Sequence, residues 1–360
     1  MINVLYIRSS FDPGGTESLL LNLFNYDQDQ IEFHYVLLKE GSLIDKLNSK
    51  KNIYYKIFRK HRIDFKVINR IRKIIKINNI RIVHTHQMIE LFYACLLKLF
   101  IPKLRLYHTV HGYFDNNYKW AQFLEIFLIR FTVKTFTVSQ ATKHILIEKG
   151  YPGSKIEVLY NAVSLPQRAG SEELEWFKKK IKLRASDFIV GMIGNFVWWK
   201  DQLTLVKAYN LLKEELPNLK IVFIGKESEF SEKCKEEINP EDLNRRVFFL
   251  GAIENAYKYL SIFDLFVMST LMDTFGIVVI EALMSRVPVL ASDIEVMKEL
   301  SFNGKYFELF RKQDANDLAD KIKSKYKNLN EKKSLYAAEY ASENYSYKRF
   351  IQDLKNKYNE

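Results

Sequence analysis

The sequence predicts an α/β protein with two parallel sheets. Short β-branched or aromatic runs alternate with helical patterns along the whole chain, which is typical of parallel strands joined by crossover helices. The length of 360 residues suits two domains of ordinary size. After Asn161 the alternation gives way to a polar stretch with proline and glycine, and we place the linker there.

The first domain is predicted to span residues 1–165, with helices between its strands. The clearest helix is Asp64–Ile77, because apolar residues recur there at helical spacing while basic residues occupy the other positions. Its apolar side is expected to pack on the sheet. The predicted strands are approximately Ile2–Arg8, Glu32–Leu38, Ile80–His84, Leu104–Val110, Thr135–Val138 and Ile156–Leu159.

The second domain is predicted over residues 166–344, so that two Rossmann-like halves result. A Lys-rich tail begins at Asp314 and indicates two or three amphipathic surface helices, the last of them over 345–360. The predicted strands are approximately Phe188–Ile193, Lys220–Ile224, Val247–Leu250, Leu265–Met268 and Val287–Leu290.

Composition excludes several classes of protein. With 48% apolar residues, 13 Gly and 7 Pro, the chain is neither collagenous nor disordered. Cys95 and Cys234 lie far apart without metal-type spacing, which favours a reducing cytoplasm over a disulfide framework. Met1–Arg8 is too short for a signal peptide, and Leu91–Phe100 is well below the roughly 20 apolar residues that span a bilayer.

Positive charge is concentrated in the first domain. Residues 1–165 contain 24 Lys and Arg against 13 acidic residues, whereas residues 166–360 contain 31 against 30. Within Lys50–Arg81, twelve basic residues face a single acid, Asp64, and aromatic residues lie between them. No nucleic-acid-binding signature accompanies this region, so an anionic membrane surface is the better functional interpretation and a solvated helix face the alternative. The predicted membrane-facing basic stripe is Arg59, Lys60, Arg62 and Arg70.

Ligands of open parallel sheets bind at the carboxyl ends of the strands, so two such domains are expected to face each other across a cleft lined by strand-to-helix loops. In the first loop, Gly14, Gly15 and Glu17 precede or open a helix. Paired glycines let backbone amides approach an anionic or sugar ligand, although a tight turn explains them equally well.

Three histidines follow neighbouring strands of the first domain: His84, His86 and His111. No carboxylate or cysteine completes a metal-ligand set at a suitable spacing, so we predict no metal site. A neutral imidazole can orient a substrate hydroxyl instead, and His111, beside Gly112, is the best candidate. A loop histidine with local hydrogen bonds is the alternative for each.

In the second domain, the loop after Phe188–Ile193 contains Gly194, Asn195 and Lys200. A lysine there can place a point charge on a phosphate. The alternative is a surface lysine beside the two aromatic residues that precede it.

The segment 272–283 is the most informative. The chain turns at Gly276 into a helix, and the amides around Phe275 to Val278 can bind a diphosphate. Glu281 lies in that apolar helix, where a carboxylate needs a hydrogen-bonding partner such as a ribose diol. A neighbouring helix could satisfy it instead.

A series of short motifs, in this order and spacing, resembles the retaining, nucleotide-sugar-dependent glycosyltransferases of family 4, which have the GT-B fold. The resemblance covers nearly the full length. The motifs are Gly14-Gly15-x-Glu17, His84-x-His86, His111-Gly112, Val138-Ser139, Asn161-Ala162-Val163, the Gly194 to Lys200 loop, Phe249-Leu250-Gly251, the Asp273 to Glu281 segment and Tyr345-Ser346.

The resemblance implies that Glu281 binds the nucleotide ribose, that Lys200 contacts the diphosphate, and that His111 meets the donor sugar near the acceptor. It also implies a final helix that crosses back to the first domain, which holds the acceptor and brings the Gly14-Gly15 loop to the reaction centre. The expected catalytic residues are His111, Asp273 and Lys200. The expected donor-binding residues are Gly194, Asn195, Lys200, Thr274, Phe275, Gly276, Ile277 and Glu281.

The implied enzyme is a retaining transferase of the hexosyltransferase type in cell-surface polysaccharide synthesis. It takes a UDP- or GDP-sugar as co-substrate, needs no cofactor, and acts on a lipid-linked glycan acceptor. The enzyme is expected to be cytoplasmic and peripheral at the inner face of the plasma membrane. Asp273 stands where the family has Glu, and Asn195 where it often has Arg, with Lys226 a candidate for that charge. Two alternatives stay open: a nucleotide-sugar epimerase of the same fold, and a catalytically weakened binding subunit.

Overall fold

The computed structural model describes residues 2–12, 14–48, 53–61, 64–112, 119–165, 167–328 and 331–360. The chain divides into two compact units. Unit 1 combines Met1–Ala162 with Tyr347–Glu360, and unit 2 is Val163–Ser346. The first boundary between the units, after Ala162, lies in the polar stretch after Asn161.

In its described residues, unit 1 contains a parallel sheet in the order β3-β2-β1-β4-β5-β6-β7. The first strand of the chain lies inside the sheet and pairs on both sides, with Tyr6 opposite Tyr35 and His84. The edge strand β3 was not predicted, because its exposed and half-buried residues lie in a basic segment without strand-like alternation. The strands are β1 Ile2–Arg8, β2 Ile31–Leu37, β3 Ile53–Lys56, β4 Ile82–Thr85, β5 Arg105–Val110, β6 Lys134–Thr137 and β7 Ile156–Val158.

Helices cover both faces of this sheet. One face packs on the first and last helices of the unit and the other on the four between them, as right-handed crossovers require. Asp64 caps the basic helix by accepting a hydrogen bond from the Lys66 amide. The helices are α1 Gly15–Asn25, α2 Phe65–Ile77, α3 Met88–Phe100, α4 Lys119–Ile129, α5 Gln140–Glu148 and, at the end of the chain, α13 Tyr347–Asn359.

In its described residues, unit 2 contains a second parallel sheet in the order β10-β9-β8-β11-β12-β13. Strand β12 begins two residues later than predicted, and the short β13 was not predicted. The strands are β8 Phe188–Ile193, β9 Leu219–Ile224, β10 Val247–Phe249, β11 Leu265–Met268, β12 Val289–Ser292 and β13 Glu308–Phe310. The helices are α6 Ser171–Lys180, α7 Gln202–Leu212, α8 Glu229–Glu236, α9 Ile277–Met284, α10 Glu295–Ser301, α11 Ala315–Lys327 and α12 Glu331–Asn344.

The Lys-rich tail forms three helices, α11 to α13, and the last is more than a surface helix. Helix α13 buries Tyr347, Phe350, Ile351, Leu354 and Tyr358 in the core of unit 1. The hydroxyl of Tyr358 lies 3.1 Å from the hydroxyl of Tyr6 and also contacts Nδ1 of His84. In the described part of the chain, no helix is both long and apolar enough to span a membrane.

Candidate active site

Glycines join the loops at the carboxyl ends of β8, β9 and β10. The Gly194 amide donates to Ile224 O at 2.8 Å, and the Gly225 amide donates to Gly251 O at 2.9 Å. A Cβ atom on Gly225 would lie 2.0 Å from Gly194 O, so only glycine fits there. The Asn195 Oδ1 accepts from the Lys226 amide at 3.0 Å. The Asn195 side chain therefore holds two loops together.

Lys200 is held in a 3₁₀ turn, Trp198–Lys200, that follows β8. Two side chains from the end of the neighbouring strand β11 fix this turn. Ser269 Oγ donates to Asp201 O at 2.7 Å, and Thr270 Oγ1 donates to Trp199 O at 2.8 Å. Sequence reasoning missed both hydroxyls, because a Ser-Thr pair after a strand carries no distinctive spacing.

Asp273 links Lys200 to the start of α9. Its Oδ2 lies 2.7 Å from Lys200 Nζ. Its Oδ1 accepts from the amides of Thr274, Phe275 and Gly276 at 2.7, 3.2 and 3.2 Å. Burial opposes ionisation, but the Lys200 charge and these hydrogen bonds outweigh it and lower the pKa of Asp273. Asp273 is thus an ionised, fully hydrogen-bonded group.

This bonding changes the expectation for the diphosphate site. The amides of Thr274, Phe275 and Gly276 are engaged by Asp273, whereas those of Ile277 and Val278 donate to no other described residue. The first free amides of α9 therefore follow Gly276, where the helix dipole also favours an anion. Gly276 has φ +82°, which favours glycine.

Glu281 lies one turn into α9, and its half-buried carboxyl group has no hydrogen-bond partner among the described residues. Burial raises its pKa to about 8. The alternative was that a neighbouring helix forms a hydrogen bond with this carboxyl group, and no helix does so within the described structure. A ligand with hydroxyl groups can do so.

In unit 1, His86 and His111 form a hydrogen-bonded pair. His111 Nε2 lies 2.7 Å from His86 Nδ1, and the two rings stack with centroids 5.0 Å apart. Burial, followed by nearby positive charge, lowers the pKa of His111 to about 3 and that of His86 well below its usual range. Both rings are neutral at pH 7. The buried Nε2 of His86 has no partner in the described structure.

His84 has a different environment. It is buried, with Nδ1 against the Tyr358 hydroxyl and Nε2 2.8 Å from Thr109 Oγ1. Its nitrogens are thus engaged by the core, so it is a structural residue. The described part of the chain contains no group of three His, Cys, Asp or Glu residues that could hold a metal ion.

The Gly14-Gly15 loop opens α1 and leads to a buried ion-pair network. Glu17 Oε1 accepts from Arg8 Nη2 at 2.6 Å, and Arg8 Nη1 also contacts Glu90 Oε2 at 3.3 Å. Arg8 is fully buried, and sequence reasoning missed it because it treated this position only as the end of a strand. A Cβ atom on Gly15 would meet nothing within 4 Å, so there is open space beside the loop.

The predicted basic stripe is only partly described. Lys60 and Arg70 are exposed and Arg59 is half-buried, while Arg62 lies outside the described residues. Phe58 and Phe65 are exposed near these positions.

Comparison with solved structures defines the class of protein. The chain superposes on Anabaena HepE in complex with UDP with a TM-score of 0.85, at 18% identity, over 99% of this chain and 100% of that one. Sucrose-phosphate synthase from Thermosynechococcus elongatus gives a TM-score of 0.75 at 15% identity, over 100% and 98% of the chains. The fold is that of a GT-B glycosyltransferase, which confirms the predicted fold class.

Two family models match consecutive parts of the chain. Glycosyltransferase Family 4 matches residues 13–166, and Glycosyl transferases group 1 matches residues 175–343. The chain belongs to this glycosyltransferase family, as its motifs predict, and is an enzyme of the hexosyltransferase type.

Curated relatives include a capsular polysaccharide biosynthesis glycosyltransferase, CapH, of Staphylococcus aureus, which is 26% identical over 86% of this chain and 87% of the relative. The UDP-Gal:alpha-D-GlcNAc-diphosphoundecaprenol alpha-1,3-galactosyltransferase of Escherichia coli is 25% identical over 74% of this chain and 72% of the relative.

Proposed function

We propose that this enzyme transfers a hexose from a UDP-sugar to a lipid-linked glycan, with retention at the anomeric carbon, in cell-surface polysaccharide synthesis. The observation that carries the proposal is the contact of Lys200 with Asp273 at the start of α9, one turn before Glu281. A lysine and free helix amides can bind the diphosphate of a nucleotide, and an unsatisfied carboxyl group can accept hydrogen bonds from its ribose.

The names of the relatives support the donor and the acceptor. The E. coli relative is named for UDP-galactose and a diphosphoundecaprenol-linked sugar, and the S. aureus relative for capsular polysaccharide. HepE has the same fold and was solved with UDP. These names favour a UDP-sugar over a GDP-sugar, the other donor that the resemblance implies.

The chemistry assigned to unit 2 is stabilisation of the leaving group. When the bond between the anomeric carbon and the diphosphate breaks, negative charge develops on the phosphate oxygens. The acceptor hydroxyl oxygen forms the new bond to that carbon, and its proton passes to an oxygen of the departing diphosphate. Lys200 and the Ile277 and Val278 amides would hold this charge, while Glu281 would accept hydrogen bonds from the ribose. Asp273 would position both Lys200 and the amides.

Unit 1 would supply uncharged hydrogen-bonding groups for the sugar hydroxyls. His111 can donate or accept one hydrogen bond with a donor-sugar hydroxyl, while His86 fixes its ring. We assign the acceptor to the side of unit 1 that carries the Gly14-Gly15 loop, with Glu17 held by Arg8.

A lipid-linked acceptor requires the enzyme to reach a membrane, so we propose peripheral association at the cytoplasmic face through the basic stripe. Replacing Arg59, Lys60, Arg62 and Arg70 with Ser should weaken binding to anionic vesicles, with a smaller effect at high salt. Unchanged binding at low salt would show that the stripe is only solvated.

The decisive experiment is a donor screen with purified enzyme and a polyprenyl-diphosphate-linked sugar, using UDP-, GDP- and ADP-hexoses. We expect acceptor-dependent release of UDP, and NMR of the product should show the anomeric configuration of the donor. Nucleotide release without acceptor, accompanied by a free epimerised sugar, would indicate the epimerase. No turnover with any donor would indicate a binding subunit.

A further inference from the structure

Helix α4 has a second apolar side besides the one that packs on the core. Ala121, Leu128 and Ile129 are buried. Four aromatic residues are exposed. At 100° per residue, they fall within an arc of about 80° around the helix axis. We call them the aromatic stripe: Trp120, Phe123 and Phe127 on the helix and Phe131 just after it, with 51%, 76%, 49% and 46% of their surface exposed.

Among the described residues of α4 and in Arg130 after it, no acidic side chain is exposed. Glu125, the single acidic residue of α4, is buried and bonded to Tyr151 and His108. Arg130, beside the stripe, is exposed. The exposed side of α4 therefore carries no carboxylate that would repel an anionic partner.

The neighbouring helices extend this surface. Helices α2, α3 and α4 lie in one layer on the same side of the sheet, and Arg72 of α2 lies 5.5 Å above the ring of Phe100 at the end of α3. Helix α2 contains no acidic residue, and the one in α3, Glu90, is buried. Exposed cations on α2 are Lys66, Arg70, Lys73 and Lys76.

We propose that the aromatic stripe inserts into the interfacial region of an anionic lipid bilayer, while the α2 cations lie against the headgroups. Aromatic side chains are favoured at this depth, and stable peripheral binding usually requires two signals, one apolar and one electrostatic. The aromatic stripe supplies the apolar signal and the α2 cations supply the electrostatic one, and both lie on the same layer of helices. A second copy of the chain is a poorer partner, because a symmetric contact would bring two cationic surfaces together.

This inference deepens the membrane association in the proposed function and replaces a basic stripe alone with a combined surface. Its test compares wild type with the double variant Phe123→Ser, Phe127→Ser in co-sedimentation with vesicles that contain about one third phosphatidylglycerol. We expect the partition coefficient of the variant to fall by about tenfold or more, since each exposed ring contributes to insertion.

The matched control is Phe302→Asn in unit 2, which removes an aromatic residue with 62% of its surface exposed, at φ +52°, where asparagine is well tolerated. Vesicle binding of this variant should equal that of wild type. A retained thermal shift with UDP would show that the double variant is folded.

Tryptophan fluorescence gives a second measurement. Brominated lipids should quench part of the emission of the wild type, and Trp120→Phe should abolish that part. Equal vesicle binding by wild type and double variant would overturn the proposal, as would a change of mass in light scattering without a change in vesicle binding. UDP release measured in detergent is independent of insertion, so failure of the proposed transferase and failure of the aromatic stripe are distinguishable.

Discussion

The carboxyl ends of the two sheets use charge in different ways. In unit 2, Lys200 is cationic, its charge is shared with Asp273, and Glu281 is a carboxyl group without a described partner. In unit 1, His86 and His111 are uncharged. A developing phosphate charge needs fixed cations and dipoles, whereas sugar hydroxyls are well served by neutral donors and acceptors. In unit 1, the charge of Arg8 is offset by Glu17 and Glu90, so the groups that would contact the leaving phosphate in the proposed function lie in unit 2.

Removing the cation of unit 2 should have the largest effect. Lys200→Ala should lower kcat/KM for the UDP-sugar by about 10² to 10³, because a fixed donor to the leaving group is lost. Initial rates of UDP release measure this. Lys180→Ala is the control, because this exposed lysine ends α6 near the amino ends of the strands, and it should change the rate by less than about threefold. Nearly full turnover by Lys200→Ala would contradict the role of the Lys200 charge in stabilising the leaving phosphate.

Removing the neutral partner of unit 1 should have a smaller effect of another kind. His111→Ala should lower kcat by about 10-fold to 10²-fold with little change in UDP affinity, because its contact would be with the sugar and not the diphosphate.

The pH profile sharpens this second test. Because the pKa of His111 is lowered to about 3, its loss of a proton should not appear in the rate profile of the wild type near neutral pH. His86→Gln should retain more activity than His111→Ala, since His86 acts through His111. A rate that depends on a group titrating near pH 6.5 and disappears in His111→Ala would contradict the neutral role.

The contrast between the two regions also explains how much the sequence could predict. Strand-to-helix loops follow from alternation and glycines, so Lys200, Asp273, Gly276 and Glu281 could be found as neighbours of strand ends. Their bonding could not, because it depends on which strands are adjacent. β8 and β11 lie far apart in the chain but pair in the sheet, and this brings Lys200 to Asp273.

Features without a periodic signal were missed. Strand β3 lacks alternation, and β13 has only three residues. Arg8 looked like the end of a strand, although it is buried between two carboxylates that come from different helices. The aromatic stripe was overlooked because α4 is apolar on both sides, so nothing in its composition distinguishes the exposed rings from the core.

Glu281 offers a test of intermediate size. Burial raises the pKa of Glu281 to about 8, so the ionised form becomes common only as the pH rises, and ribose hydroxyls donate to that form. UDP affinity of the wild type should therefore increase between about pH 6 and about pH 9 relative to that of Glu281→Gln. At the upper pH the variant should bind UDP about tenfold more weakly, as measured by calorimetry. Parallel pH dependences for the two proteins would show that Glu281 does not meet the nucleotide.

Asp273 tests the positioning role through stability. Asp273→Asn keeps an oxygen for the Thr274 to Gly276 amides but removes the charge that faces Lys200, so unit 2 should lose about 1 to 3 kcal/mol at pH 7. Since the folded pKa of Asp273 is lowered, this stabilisation is complete above its ordinary value of about 4 and is lost as the pH falls through the folded pKa. Urea unfolding of both proteins at several pH values should show the difference shrinking in acid.

Asp264 provides a control of the opposite sign within the same unit. Its Oδ2 accepts from the Ile189 amide, but burial outweighs this and raises its pKa. The folded state therefore holds the Asp264 proton more tightly than the unfolded chain, and wild type loses stability relative to Asp264→Asn as the pH rises through the folded pKa. For each variant, the difference from wild type in the free energy of unfolding is followed against pH. Slopes of opposite sign for the two variants would show that the ionised, cation-paired carboxylate is that of Asp273. Equal slopes would mean that Lys200 does not hold Asp273 in its charged form, and the positioning role would then be wrong.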